Sequence, residues 1–229
     1  METFYDRTEL QIGSLGVEKL KNAHVAIFGV GGVGGFAFEC LVRSGIKNIT
    51  VFDGDTLKPS NLNRQVIATV ENLGKDKVEV ALLRAYSINP DGNFKGEKVF
   101  YTKQNADDYP LDNYDYIIDA IDTVSSKIAL ILRAKEKGVK IISSMGTGGK
   151  LDPTLLQVTD INKTEYCPLA RVMRRELKKC GVFDLKVVYS KERAIKENRE
   201  LEKAIPSMMP VPSVAGILLA TEVIKDILG

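Results

Sequence analysis

The chain has 229 residues, with 32 Lys and Arg against 30 Asp and Glu, 44% hydrophobic residues, three Cys, one His and no Trp. A core of that size can bury roughly 70% of the surface of the unfolded chain, so neither a disulfide framework nor a structural metal is required for stability. Cys40, Cys167 and Cys180 form no CxxC pair, and this usage predicts a reducing, cytoplasmic setting. The first twenty residues carry charges throughout and contain no apolar core of a secretory signal. Val211 to Ile224, the longest apolar stretch, is interrupted by Glu222 and covers only about half a bilayer. No membrane-spanning helix is expected; peripheral contact is the most this tail could make with a bilayer.

In chain order, short β-branched runs alternate with helical patterns, as in βαβ units around a mostly parallel sheet. His24 to Phe28 reads as the first strand and Val33 to Ser44 as the helix after it, closed by Gly45. Asn48 to Asp53 reads as a second strand, followed by a polar loop with Pro59 and then a helix from Lys75 to Ile88. Lys98 to Thr102 is the expected third strand, Tyr114 to Asp119 the fourth and Lys140 to Ser144 the fifth, with a helix from Ser125 to Lys137 between the last two. After Gly149 the rhythm changes. Strands are expected at Leu155 to Thr159 and Leu185 to Tyr189, separated by a basic helix from Leu169 to Lys179. The charged segment 191–203 reads as a solvated helix or a mobile stretch, and Val214 to Leu228 as a closing apolar helix. The fold class expected is a Rossmann-like α/β domain spanning residues 1–229. Its sheet is mostly parallel, with partly antiparallel strands added in the second half and helices on both faces.

Gly29-Val30-Gly31-Gly32-Val33-Gly34 follows a strand and opens a helix, the context in which a GxGxxG pattern points to phosphate. Gly29 and Gly31 permit the tight turn and close backbone approach, and Gly34 lets the helix pack on the strand. N–H groups at the helix start then face phosphate oxygens. Asp53, at the end of the second strand, can accept both ribose hydroxyls. This pair of features points to a nucleotide without separating a dinucleotide from ATP.

The loop that follows separates them. Asp53, Asp55, Asn61, Asn63, Arg64 and Gln65 fall within thirteen residues, with Lys77 on the next helix. A triphosphate reacting at its α-phosphorus wants several fixed cations and amide donors. Asp119 and Asp122 sit just past the fourth strand, at the ligand-binding edge of a parallel sheet. Mg²⁺ prefers one or two carboxylates plus phosphate oxygens, which makes Asp122 the candidate metal ligand. Capping of the helix near Ser125 is its alternative role. His24, opening a strand, reads as structural. Cys40 reads as helix core, Cys180 as a helix-end packing residue, and Cys167, before Pro168 at a helix start, as the one tempting thiol.

The motifs GxGGxG, DGDxxxxSNxNRQ (53–65), GKDKVE (74–79) and DAIDTVSSK (119–127) together resemble the E1-like adenylating superfamily of ubiquitin-activating, MoeB and ThiF enzymes. The resemblance implies ATP-dependent adenylation of a carboxylate. It implies Asp53 as ribose ligand, Asn61 and Arg64 as phosphate contacts, Lys77 as the α-phosphate lysine, and Asp122 as the magnesium and catalytic aspartate. Arg7 in Tyr5-Asp6-Arg7 resembles an arginine that reaches the γ-phosphate of the neighbouring subunit, which implies a homodimer. MoeB and ThiF usually hold zinc on two CxxC pairs; a Cys-poor chain cannot, so no zinc is expected.

Arg7 to Leu10, Gly146 to Thr154, Val158 to Thr164 with Pro168 to Ala170, and Pro210 to Gly216 instead resemble the tRNA threonylcarbamoyladenosine dehydratases, over nearly the whole chain. That resemblance implies ATP and Mg²⁺ as cofactors and a tRNA carrying t6A at position 37 as substrate. The threonyl carboxylate would be adenylated and then closed by a ureido nitrogen to cyclic t6A, releasing pyrophosphate and AMP. Residues 163–199 hold eleven Lys or Arg and five Asp or Glu, a basic segment suited to RNA phosphates or simply a solvated face. Some relatives work with sulfur-transfer proteins, so the resemblance also implies such a protein as a candidate partner. The competing expectation is a ThiF-type activator that adenylates the Gly-Gly C-terminus of a ubiquitin-like sulfur carrier. A nucleotide-sensing interaction module is the non-enzymatic alternative.

Overall fold

The computed structural model describes residues 3–194 and 205–229. Among them seven strands form one sheet in the order β3-β2-β1-β4-β5-β7-β6. The strands are β1 (His24–Phe28), β2 (Asn48–Phe52), β3 (Asn93–Glu97), β4 (Tyr116–Asp119), β5 (Lys140–Ser144), β6 (Leu156–Asp160) and β7 (Lys186–Ser190). All neighbours pair in parallel except β6 with β7. The helices are α1 (Asp6–Asn22), α2 (Gly34–Arg43), α3 (Lys77–Ile88), α4 (Val124–Glu136), α5 (Pro168–Lys179) and α6 (Pro210–Leu228).

The period-two alternation of strand side chains divides the core into two layers. Val25, Ile27, Ile49, Val51 and Ile118 pack under α2, α3 and α6. Ala26, Phe28, Ile117, Val187 and Tyr189 face the opposite way, under α4 and α5. Burial on both faces explains why β1 and β4 read as near-continuous apolar runs. Helix α6 presses closely on α2: a β-carbon at Gly216 would come within 2.2 Å of Val33 O.

The third strand lies at Asn93–Glu97 instead of Lys98 to Thr102. It is an edge strand in which only Phe94 is buried, so Asn93, Lys95, Gly96 and Glu97 carry little of the apolar signal of a strand. The Asn93 N–H donates to Lys47 O at 2.7 Å and sets the register with β2. The apolar residues Val99 to Tyr101 turn out over the end of the sheet. Helix α1 was not legible in the sequence. Its polar pattern is broken by Gly13, at φ +72, where two helical pieces meet. Cys180, expected to pack, is exposed. Cys40 is partly buried against the core, and burial raises its thiol pKa. His24 opens β1 with Nε2 3.4 Å from Thr50 Oγ1, and burial lowers its pKa. Most of the charged segment 191–203 lies outside the described residues, and no helix among the described residues is long and apolar enough to cross a membrane.

Candidate active site

Strand order reverses at β1, with β2 on one side and β4 on the other. A crevice opens there at the carboxyl ends of the strands, the usual ligand position in open α/β sheets. In this chain it is a cleft of about 470 Å³.

One wall is the glycine turn. Gly29 has φ +91 and donates its N–H to Phe52 O at 2.7 Å, a conformation that favours a residue without a β-carbon. A β-carbon at Gly34 would lie 1.8 Å from Gly29 O, so the first turn of α2 can sit on β1 only with glycine there. Gly31, Gly32 and Val33, just before α2, line the cleft. Backbone donors and a positive helix end are a natural anion site.

The second wall carries the charges. Asp53 Oδ2 accepts the Val30 N–H at 2.8 Å, and Oδ1 accepts the Asp55 N–H at 2.9 Å. Each carboxylate oxygen has a further lone pair, which leaves capacity for sugar hydroxyls. The Lys77 ammonium, nearly buried, lies 3.0 Å from Asp55 Oδ2 and 3.8 Å from Asp53 Oδ2. Arg64 lines the same wall, its Nη1 donating to Ser60 O at 2.8 Å and Asn63 Oδ1 at 2.9 Å. Gln65, which also lines the cleft, is buried, with Oε1 lacking a donor among the described residues.

Asp122 is exposed on the third wall. It does not cap α4: the cap residue is Thr123, with no side-chain cap bond. Beneath it Asp119 and Lys127 form a fully buried ion pair. Asp119 therefore serves the loop and not the cleft surface.

The nucleotide-site candidates thus converge in part. Gly29, Gly31, Gly32, Asp53, Asp55, Arg64, Lys77 and Asp122 all line the cleft. Gly34 sits behind it as a packing residue. Asn61 is buried, with Oδ1 accepting the Lys58 N–H at 2.9 Å, and Asn63 donates to Ser207 O at 2.8 Å. Both shape the loop that presents Arg64. Arg7 is exposed on α1 and lines no part of its own chain's cleft. Cys167 is buried at the start of α5.

Some lining residues escaped the sequence reasoning. Phe28 stacks on Phe52 at 4.2 Å, and Tyr101 meets Phe28 edge-on at 5.0 Å. Together with Val99 and Phe100 these rings give the cleft an apolar end. Thr147, Ser207 and Pro212 close it from the second half of the chain. Only the motifs around Thr147 and Pro212 gave a signal.

A nucleotide cleft followed by a carboxylate on a rigid loop is shared by many α/β proteins, and comparison with known proteins distinguishes among them. The sequence signature of the ThiF family matches residues 5–229. The chain belongs to the ThiF family. Among relatives of this ThiF-family protein, a Bacillus subtilis (strain 168) protein named tRNA threonylcarbamoyladenosine dehydratase is 38% identical over 239 residues, covering 98% of this chain and 94% of that protein. The solved Escherichia coli tRNA N6-threonylcarbamoyladenosine dehydratase in complex with ATP superposes with a TM-score of 0.91 at 32% identity, covering 98% of this chain and 93% of that one. Its complex with AMP gives 0.90 at 31% identity, covering 100% and 98%.

Proposed function

We propose that this ThiF-family protein is an ATP-dependent tRNA dehydratase that adenylates the threonyl carboxylate of t6A and closes it to cyclic t6A. The carrying observation is the end-to-end likeness to proteins of that name, 38% identity across 98% of the chain for the Bacillus subtilis protein. We treat the whole chain as one adenylation domain.

On this reading the triphosphate lies with its phosphates toward Gly31, Gly32 and the start of α2, and its ribose toward Asp53. Lys77 and Arg64 hold fixed positive charge beside the phosphates, where preorganised charge stabilises the transition state without reorganisation. Asp122 fits a magnesium ion. No three His, Cys, Asp or Glu side chains gather into a metal cage among the described residues, and one exposed carboxylate plus phosphate oxygens is a donor set Mg²⁺ takes. Bound there, it would neutralise phosphate charge.

A substrate carboxylate oxygen attacks the α-phosphorus, the bond to the bridging oxygen breaks, and pyrophosphate leaves. A ureido nitrogen of the same nucleoside then attacks the acyl carbon. The acyl carbon–oxygen bond breaks, AMP departs with that oxygen, and the nitrogen's proton passes to solvent. The nucleoside ends one water lighter. Because both reacting groups belong to one substrate, closure is intramolecular and no enzyme thiol is needed. Burial of Cys167 supports this route over a thiol relay.

We assign Arg7 to the cleft of a second copy of the chain, hence a homodimer. Exposed Leu10 and Leu15 on the same helix support an interface there. The tRNA substrate and three free thiols support a cytoplasmic setting. Incubation with ATP, Mg²⁺ and t6A-bearing tRNA is expected to release pyrophosphate in step with loss of t6A. Asp122→Ala is expected to abolish that release at an unchanged melting temperature. Release triggered only by a carrier protein ending in Gly-Gly would favour the alternative activator.

A further inference from the structure

Tyr166 occupies a backbone conformation that residues with a β-carbon rarely adopt, at φ +54. The Cys167 N–H donates across it to Glu165 O at 2.6 Å. An i to i+2 closure at positive φ is the rare, strained kind of γ-turn. Burial is not what this turn secures, because Tyr166 remains 51% exposed. Instead the ring lies under a cation: the guanidinium carbon of Arg193 is 4.6 Å from its centroid, a cation–π distance.

The turn packs beside the loop that closes one end of the nucleotide cleft. A β-carbon at Gly146 would touch Cys167 Sγ at 3.6 Å and Leu169 Cβ at 3.7 Å, and the next residue, Thr147, lines the cleft. From this turn the twelve residues of α5 run about 18 Å. The helix buries Ala170, Met173 and Leu177 and turns Arg171, Arg175 and Lys178 to solvent. Spacings of four and three place those three cations on one face. An aromatic–guanidinium pair next to the loop that carries Thr147 therefore continues into a basic stripe.

We infer that Tyr166 and Arg193 form a stacking platform for an unpaired base of the RNA loop whose modified nucleoside enters the cleft, while phosphates of the adjoining stem follow Arg171, Arg175 and Lys178. The inference rests on the tRNA reading above. Unpaired RNA bases stack on aromatic rings and guanidinium planes, and the RNA backbone follows basic surfaces in a salt-dependent way. An acidic protein would use the stripe but has no need of a strained, exposed ring. The platform explains why a tyrosine, and not a glycine, stands at position 166.

The test is the affinity of an anticodon stem-loop RNA carrying t6A for the wild-type protein and its variants. Tyr166→Phe is expected to bind like wild type. Tyr166→Ala and Tyr166→Gly are expected to bind on the order of tenfold more weakly with ATP affinity unchanged. Tyr166→Gly should melt no lower than wild type, because glycine accepts positive φ. Replacing Arg171, Arg175 and Lys178 by Gln together should make the slope of log affinity against log salt shallower by about two to three. Wild-type affinity in both Tyr166→Ala and Tyr166→Gly, or an unchanged salt slope in the triple variant, would overturn the platform and leave the functional reading standing. Failure of the wild-type protein itself to bind the RNA would overturn the functional reading, and the platform with it.

Discussion

Lys127 and Asp119 grip one residue, Ile121, by its backbone C=O and its backbone N–H. Their Nζ and Oδ2 atoms are 2.9 Å apart, with both side chains 0% exposed. Asp119 Oδ1 accepts the Ile121 N–H at 3.1 Å, while Lys127 Nζ donates to Ile121 O at 3.0 Å. Ser143 Oγ donates to Asp119 Oδ2 at 2.6 Å and completes the set. The residue after Ile121 is Asp122, so this buried pair fixes the loop that carries the proposed magnesium ligand.

Lys127→Met is therefore expected to cost roughly 3–5 kcal/mol, because it strands a buried carboxylate. Adding Asp119→Asn should recover much of that loss. Urea denaturation of the single and double variants checks the coupling. Turnover should stay reduced in the double variant, since the loop has lost its anchor.

The glycines of the turn separate into packing and binding positions. Gly34→Ala would drive a β-carbon to 1.8 Å from Gly29 O, a backbone atom, and is expected to lose more than the roughly 1–3 kcal/mol of ordinary overpacking. At Gly32 the nearest atom is Arg64 Cγ at 3.4 Å, on a side chain that can shift. Gly32→Ala should keep its melting temperature and weaken ATP binding. Thermal melts and calorimetric titration with ATP distinguish the two.

What could be read from the residues follows how much of each element is buried. Strands β1 and β4 are buried on both faces and show as continuous apolar runs; β5 matches its expected bounds, Lys140 to Ser144, residue for residue. The edge strand β3 buries only Phe94, and its signal was displaced onto Val99 to Tyr101, which are apolar because they line the cleft. Within the site, the place of Asp53 and Lys77 on the cleft wall was legible because they follow the glycine turn in motif order; a lone lysine would read as a solvated surface charge. The service of Asn61 to its own loop, the grip of Lys127 on Ile121, and the walls formed by Thr147 and Ser207 arise from contacts between distant segments, which spacing along one chain does not encode.

Asp226 on α6 makes stability depend on acid pH. Burial alone would raise its pKa, but hydrogen bonds from Lys186 and Tyr116 and the charges of Lys186 and Lys140 outweigh it and hold the carboxyl below its ordinary value. An acid whose folded pKa lies below the unfolded value of about 3.9 contributes fully above that pH, and the contribution is lost as pH falls through the folded pKa. Unfolding free energy should therefore drop below about pH 4. The drop should be shallower in Asp226→Asn, as acid titration followed by circular dichroism would show.

Arg7→Ala and Asp122→Ala proteins are each expected to be inactive alone. If the cleft of one copy receives Arg7 from another, mixed dimers contain one cleft with both residues intact. Activity in the mixture should then return to about a quarter of wild type, the estimate for random exchange with one working cleft in half of the dimers. No recovery, with mixed dimers demonstrated by mass spectrometry, would remove Arg7 from the shared site.

The most direct test of adenylation follows a heavy-oxygen label placed in the threonyl carboxylate of t6A-bearing tRNA. Attack at the α-phosphorus predicts that one labelled oxygen appears in AMP, that pyrophosphate is unlabelled, and that the cyclised nucleoside is lighter by one labelled water. Label in inorganic phosphate, with ADP as the nucleotide product, would mean attack at the terminal phosphorus and would contradict the account.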